Sequence, residues 1–353
     1  MLRAVAKEME ARFGLADRTA PIGAGTPELS RVEVARQLST QRESDREVVR
    51  RSVRSAATAA RTESEFIGHA RANGLILRPR WGTGASTDVT GYAAARPSTD
   101  TDSLVFFSGL TLGRDLSLPA LRAGWDPDPG AAAAAWKAAT QRGATAPRRT
   151  PVHDPQAVTA AGQAMTVAHQ RMAATPVGDR AAWSAFARDG AGVFAAMAQQ
   201  LPDRRVRTPL TQAAHALACA AWRAPHRHIE RPPDGGALWR VAQAMLTVGG
   251  AQSEVFGALV LVQQMMRLAQ TISDTHEAAG RLGQARWAAE AAERAGVAAH
   301  RIQTSAAPPT LERAAVAQQV VPEPGAVAGK RANRSRQRPP DSGAVREDRE
   351  WGR

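Results

Sequence analysis

Several kinds of residue are scarce in this chain, and each scarcity removes a class of chemistry. Of its 353 residues one is cysteine, Cys219, so no internal disulfide can form, and a lone thiol in an alanine-rich helical pattern reads as a small hydrophobe. One residue is tyrosine, Tyr92, and aromatics make up 5% of the chain, so packing must rely on close helix approach rather than on large rings. No run of about eighteen apolar residues occurs, which excludes a membrane-spanning helix. Neither GxxxxGK nor GxGxxG is present, so P-loop and Rossmann chemistry find no support and no cofactor is implied. The opening residues Met1 to Arg12 are charged throughout and do not resemble a signal peptide, so a cytoplasmic location is expected.

What the chain does have is arginine and alanine. The net charge is +13, and only Lys7, Lys137 and Lys330 are lysines, so arginine carries almost all of it. Guanidinium forks bind phosphate bidentately and stack on bases, which suits nucleic acid. A GC-rich genome that writes arginine for lysine explains the preference equally well, though less readily the surplus. A hydrophobic content of 43% allows a core, mostly built from alanine, and favours helices in the second half.

The pattern predicts a mainly α protein: a small α+β module (helix, three-stranded antiparallel sheet, helix) followed by a helical bundle and a disordered tail. Residues 1–43 read as an N-terminal helix and linker, 44–125 as a basic helix plus the α+β module, 126–156 as a linker, 157–303 as the helical domain and 304–353 as a disordered basic tail. In the basic helix, Val49, Val53, Ala56 and Ala60 recur at helical spacing, and Arg46, Arg50 and Arg54 form an i, i+4 row beside Arg51. That row is either a phosphate-tracking stripe or a solvated face partly balanced by Glu43, Asp45 and Glu47.

Thr62 with Glu65 forms a capping box, and Asn73-Gly74 supplies a left-handed stop. Strands are expected over Leu75–Arg80, Asp88–Ala95 and Ser103–Phe107, with a small helix over Leu116–Leu121. Arg78 and Arg80 lie at the end of the first strand. The bundle is expected to hold helices marked by Trp183 to Met197, by Leu210 to Ala221, by Leu238 to Val248, and a long one from Val255 to about Ala299. The polar second half of that long helix, with Glu290, Glu293, Arg294 and Arg301, should project singly or pair with a partner. In the tail, KRANRSRQR brings five positive charges and no acid, with Lys330, Arg331, Arg334 and Arg336 among them. It is either a non-specific nucleic-acid binder or a solubilising terminus.

Several blocks are similar to one known family. EARFGLADRTA at Glu10–Ala20, SEFIGHARANGLILRPR, VTGYAAA and LTLGRDLSLPALRAGW resemble the relaxase (mobilization nuclease) proteins of actinobacterial plasmids and integrative elements, and a weaker likeness resumes over Ala221–Leu246. In that family these blocks follow the nuclease domain. The resemblance therefore implies the non-nuclease C-terminal part of a relaxase, acting in plasmid mobilization and conjugative transfer. It would bind DNA near the transfer origin, or conjugative coupling or relaxosome proteins, with no small-molecule substrate and no membrane.

Relaxases nick one strand with a tyrosine and hold a divalent metal with a His-hydrophobe-His pair plus a further His. Tyr92 falls in mid-strand, far downstream of the family's nucleophile, and reads as a packing residue. His226-Arg227-His228 has a charged centre and flanking prolines, and only Glu230 is near enough to add a ligand, so it reads as a solvated loop. No catalytic residue and no metal site is expected. Two alternatives remain open: a truncated form of a DNA-nicking relaxase whose nuclease is encoded upstream, and a helical adaptor without DNA binding that docks a transfer-channel ATPase.

Overall fold

Ser44 starts the helix on which the rest is assembled. Its hydroxyl accepts from the Glu47 amide at 3.2 Å, and Asp45 and Glu47 place negative charge in the first turn, both favourable at a helix N-terminus. Helix α1 (Asp45–Ala59) follows. The computed structural model describes residues 43–83, 88–97, 104–140, 155–221, 237–247 and 254–306. Most of the first 43 residues, the His226–His228 segment, and the tail cations Lys330, Arg331, Arg334 and Arg336 lie outside them.

Helix α2 (Glu63–Ala72) begins as its capping box requires: Thr62 Oγ1 accepts from the Glu65 amide at 3.2 Å. The return bond reaches one residue further back, the Glu65 carboxylate accepting from the Arg61 amide at 2.7 Å. The expected stop is present. Gly74 sits at φ +80°, the Leu75 amide donates to Ala70 O, and Leu75 buries where strand β1 (Ile76–Trp81) departs. Strand β2 (Val89–Ala95) pairs antiparallel with β1 and with β3 (Phe107–Ser108), giving the order β1-β2-β3. A register shift lies between Arg80 and Trp81. Among the described residues the third strand pairs only at Phe107 and Ser108, later and shorter than the Ser103–Phe107 expectation, because Ser108 already caps the next turn of helix.

That next turn is α3 (Gly109–Leu112), followed by a 3₁₀ turn (Arg114–Leu116) and α4 (Leu118–Arg122). The single small helix expected over Leu116–Leu121 is thus two pieces, broken where Ser117 takes extended geometry ahead of Pro119. Leu112, Leu116, Leu118 and Leu121 all turn inward onto Phe66, Leu77 and Tyr92. The stretch read as a linker contains helix α5 (Pro129–Thr140), and its Trp136 is 0% exposed in the module core. One large ring among alanines anchors the whole helix, since Trp136 lies 6.3 Å from the Tyr92 ring and its Nε1 donates to Glu63 at 2.6 Å.

The bundle comprises α6 (Pro155–Ala174), α7 (Arg180–Gln200), α8 (Arg204–Ala220), α9 (Leu238–Thr247), α10 (Glu254–Ala278) and α11 (Leu282–Ala306). Asp179 and Asp203 cap α7 and α8. The long fourth helix expected to run from Val255 to Ala299 is instead a hairpin. Gly280 takes φ +69°, the Arg281 amide reaches back to His276 O at 2.7 Å and Gly280 to Glu277 O at 2.8 Å, a left-handed helix stop. Helix α11 therefore folds back on α10 and α8, burying Ala288, Ala291, Ala295 and Ala298, and does not project alone.

Helix α1 belongs to both cores. Val49, Val53, Ala56, Ala57 and Ala60 pack in the module, while Ala59 packs in the bundle, where α1 crosses α7. The crossing is close because Gly192 has no side chain: a Cβ there would fall 1.7 Å from Thr58 Oγ1. Beside it, Ser55 Oγ donates to Gln199 Oε1 at 2.8 Å. Replacing Gly192 with alanine should destabilise the fold by about 1–3 kcal/mol, the usual cost of overpacking, measured by chemical denaturation. A change within a few tenths would show that the helices separate freely there.

Candidate nucleic-acid interface

The four arginines of α1 have different surroundings. Arg51 is 8% exposed, and its two terminal nitrogens grip Glu43 at 3.1 and 3.0 Å while one also donates to Thr211 of α8. Arg207 of α8 donates to the same carboxylate at 3.3 Å. Burial alone would raise the Glu43 carboxyl; hydrogen bonds and charge from Arg51 and then Arg207 outweigh it and hold the group below its ordinary value. Arg54 is 4% exposed and donates to Asp115 in the 3₁₀ turn at 2.6 Å. These two guanidinium groups are held inside the protein and do not face solvent, so the stripe reduces to Arg46 and Arg50. Arg46 lies 5.8 Å over the Phe107 ring, and Arg50 is half-buried between Arg46 and Arg54.

The second pair stands differently. Arg78 and Arg80 are exposed on the outer face of the sheet. The register puts Arg78 opposite Ala93 and Arg80 opposite Gly91, so small residues lie beside both along the central strand. Arg78 reaches past Ala93 and lies 3.9 Å over the Phe106 ring, while Arg80 Nε would sit 3.8 Å from a Cβ at Gly91. A guanidinium held flat on a ring keeps its N–H edge available for phosphate, with less entropy to lose on binding. Trp81 at the end of β1 is 45% exposed. Phe106 and Asp115 did not stand out in the sequence; the adjacent pair Phe106-Phe107 was the available signal, because successive strand residues point to opposite faces.

Tyr92 is 4% exposed, edge-on to Phe66 at 5.4 Å, and its hydroxyl donates to Leu116 O at 2.8 Å. Burial pushes its phenol above the usual range. Among the described residues no group of three or more His, Cys, Asp or Glu side chains gathers in a metal-holding arrangement, and no helix is long and apolar enough to cross a membrane. A cleft of about 600 Å³ opens between the start of β2, α4 and α5. Glu63 lies at its floor, gripped by Arg122 at 2.6 and 2.8 Å, and Asp88, Asp126 and Asp128 line it. Asp126 is itself paired with Arg61 at 3.2 Å. No protein-family model, no curated protein and no solved structure matches the chain.

On α8, His215 faces the arginine row. Burial, then the charges of Arg54 and Arg50, pushes its imidazole down to about 4, with Asp115 opposing. In the bundle, His276 accepts from Arg281 Nε at 2.9 Å and is likewise pushed down to about 4, by burial first and then by Arg281 and Arg180. A histidine whose folded pKa is depressed is neutral in the fold, whereas the unfolded chain begins to bind a proton near pH 6.5. Stability is therefore complete above pH 7 and is lost as pH falls from about 6.5 toward 4. Each histidine should remove about 1–2 kcal/mol between pH 7 and pH 5, and His215→Gln should flatten part of that slope in unfolding measurements. The Glu43 contribution lies lower, being lost only as pH falls below the ordinary carboxylate range.

Proposed function

We propose that the protein binds DNA through the outer face of its three-stranded sheet, without cleaving it, in plasmid mobilization and conjugative transfer. The observation that carries the DNA-binding reading is the Arg78 guanidinium stacked 3.9 Å over Phe106, with Arg80 alongside above Gly91. Two exposed guanidinium groups on a surface of small residues let a phosphate backbone approach closely, and the ring beneath Arg78 fixes the direction of its donors. The net charge of +13 adds a long-range attraction for any polyanion. The place in transfer rests on the likeness to relaxases of the Ser64–Arg80, Val89–Ala95 and Leu110–Trp125 blocks, which in this chain form most of α2, strands β1 and β2 and the turns through α4.

A binding role without chemistry is supported by Tyr92, whose hydroxyl is buried and donates to a backbone carbonyl, so it is not presented to a phosphodiester. Supercoiled plasmid with magnesium should stay unnicked, and strand-specific cleavage would overturn this part of the reading.

The DNA-binding part has a quantitative test. Arg78→Ala with Arg80→Ala should weaken binding to every DNA sequence alike and reduce the slope of log affinity against log salt by about 1.8 for duplex or about 1.4 for single strands. Phe106→Ala should weaken binding while leaving that slope nearly intact, because it removes the support of Arg78 and no charge. A slope unchanged in the double variant would sink the proposal.

A further inference from the structure

We infer that the outer plane of the Arg78 guanidinium takes an unpaired base, so that the sheet face selects a single strand of DNA by stacking as well as by charge. The inference rests on the DNA-binding reading of this face and adds to it the strandedness of the ligand. Its basis is the stack itself. The Arg78 guanidinium carbon lies 3.9 Å from the centroid of the Phe106 ring, which is contact distance, and Arg78 is exposed while Phe106 is half-buried. One side of the guanidinium is therefore taken by Phe106 and the other is turned to solvent.

A guanidinium is planar and delocalised, so it stacks on π-systems as well as donating along its edge. The two uses do not compete, because the N–H groups lie in the plane and the stacking surface lies above it. Phe106 beneath and a base above would hold Arg78 between two rings, with its edge still directed at a phosphate. Room for the base comes from the central strand. Ala93 lies opposite Arg78 and Gly91 opposite Arg80, so nothing larger than a methyl group rises from those two positions. Arg80 stands on the same face about 6.8 Å further along β1, close to the separation of successive phosphates on one strand, and so meets a neighbouring phosphate.

Charge alone favours the opposite choice. A duplex carries its phosphates at higher linear density than a single strand, and each one neutralised there releases more counterion. Both faces of every internal base in a duplex are covered by neighbouring bases, however, which leaves nothing for the guanidinium plane. A single strand leaves base faces open, and stacking them on a protein surface tolerates any sequence because every base has a flat face. Base-dependent binding at Arg78 therefore reports the stack and not the charge.

The test compares three labelled probes of roughly twelve nucleotides: oligo(dT), an abasic strand with the same phosphates and no bases, and a duplex. Each is titrated with the natural chain and with Arg78→Lys in the same salt. Lysine keeps the charge and removes the plane. The natural chain should bind oligo(dT) more tightly than the abasic strand, and Arg78→Lys should lower the oligo(dT) affinity about tenfold more than it lowers that of the abasic strand or the duplex. The salt slope for oligo(dT) should not change with the substitution, because no charge is removed. A strand carrying a fluorescent adenine analogue should also be quenched at saturation by the natural chain, and less so by Arg78→Lys.

Equal affinity for oligo(dT) and the abasic strand, or an equal effect of Arg78→Lys on all three probes, overturns the inference. DNA binding by the sheet face is then judged separately, by the salt slope of the variant lacking both Arg78 and Arg80. Absence of binding to any of the probes removes both readings.

Discussion

The burial of helix α1 is the constraint from which the rest of the structure follows. Its sequence, DREVVRRSVRSAATA, is polar on average, yet nine of its fifteen residues are buried because it is packed from two sides. Valine and alanine satisfy the module core, and serine, threonine and alanine allow the close crossing with α7 at Gly192. Arginines at the remaining positions cannot all reach water. A buried guanidinium is tolerable only with a carboxylate and geometry that uses its donors, since losing one partner of such a pair typically costs about 3–5 kcal/mol. Glu43 and Asp115, from different parts of the chain, supply that need for Arg51 and Arg54, and so fix the start of α1 and the 3₁₀ turn against the helix.

The ion pairs also hold the two halves of the protein together. Helices α1 and α8 are bridged by long side chains more than by close backbone packing, with Arg207 and Thr211 spaced one turn apart on α8 and both engaged with the Glu43–Arg51 pair. Arginine suits this position better than lysine, because one guanidinium can hold a carboxylate bidentately and still donate to a hydroxyl. Part of the positive charge in the composition is therefore structural. The net charge overstates the charge left unpaired, since Arg51 and Arg54 are held by carboxylates.

Legibility in the sequence followed the range of the interaction. Local signals were read correctly: the Thr62–Glu65 box, the Gly74 stop and the turn-bounded run of β2 all depend on residues close in sequence. Helix α5 was read only as a linker with a possible helical turn series around Trp136, because its alanines carry little periodic signal and that single ring fixes it through contacts with Glu63 and Tyr92 that are distant in sequence. The break at Gly280 was missed because the pattern on both sides is helical and only the φ of one glycine interrupts it. The arginine row of α1 was visible, but its burial was not. Whether an i, i+4 row of cations faces water or a carboxylate depends on where Asp115 arrives, and nothing near α1 states that.

Strand β3 shows how a short element can organise charge. Phe106, just before it, and Phe107, its first residue, are adjacent, so they point to opposite sides of the sheet. Phe106 lies under Arg78 on the outer face, and Phe107, buried against the module core, lies under Arg46 of α1. Two arginines from distant parts of the sequence thereby meet aromatic rings at one edge strand. The aromatic face attracts a guanidinium through its quadrupole but leaves the net charge intact, so Arg78 is positioned without losing its charge. A carboxylate in either ring's place would hold the arginine as firmly and cancel the charge. The cleft between β2, α4 and α5 holds charge the other way, in ion pairs, Glu63 with Arg122 and Asp126 with Arg61.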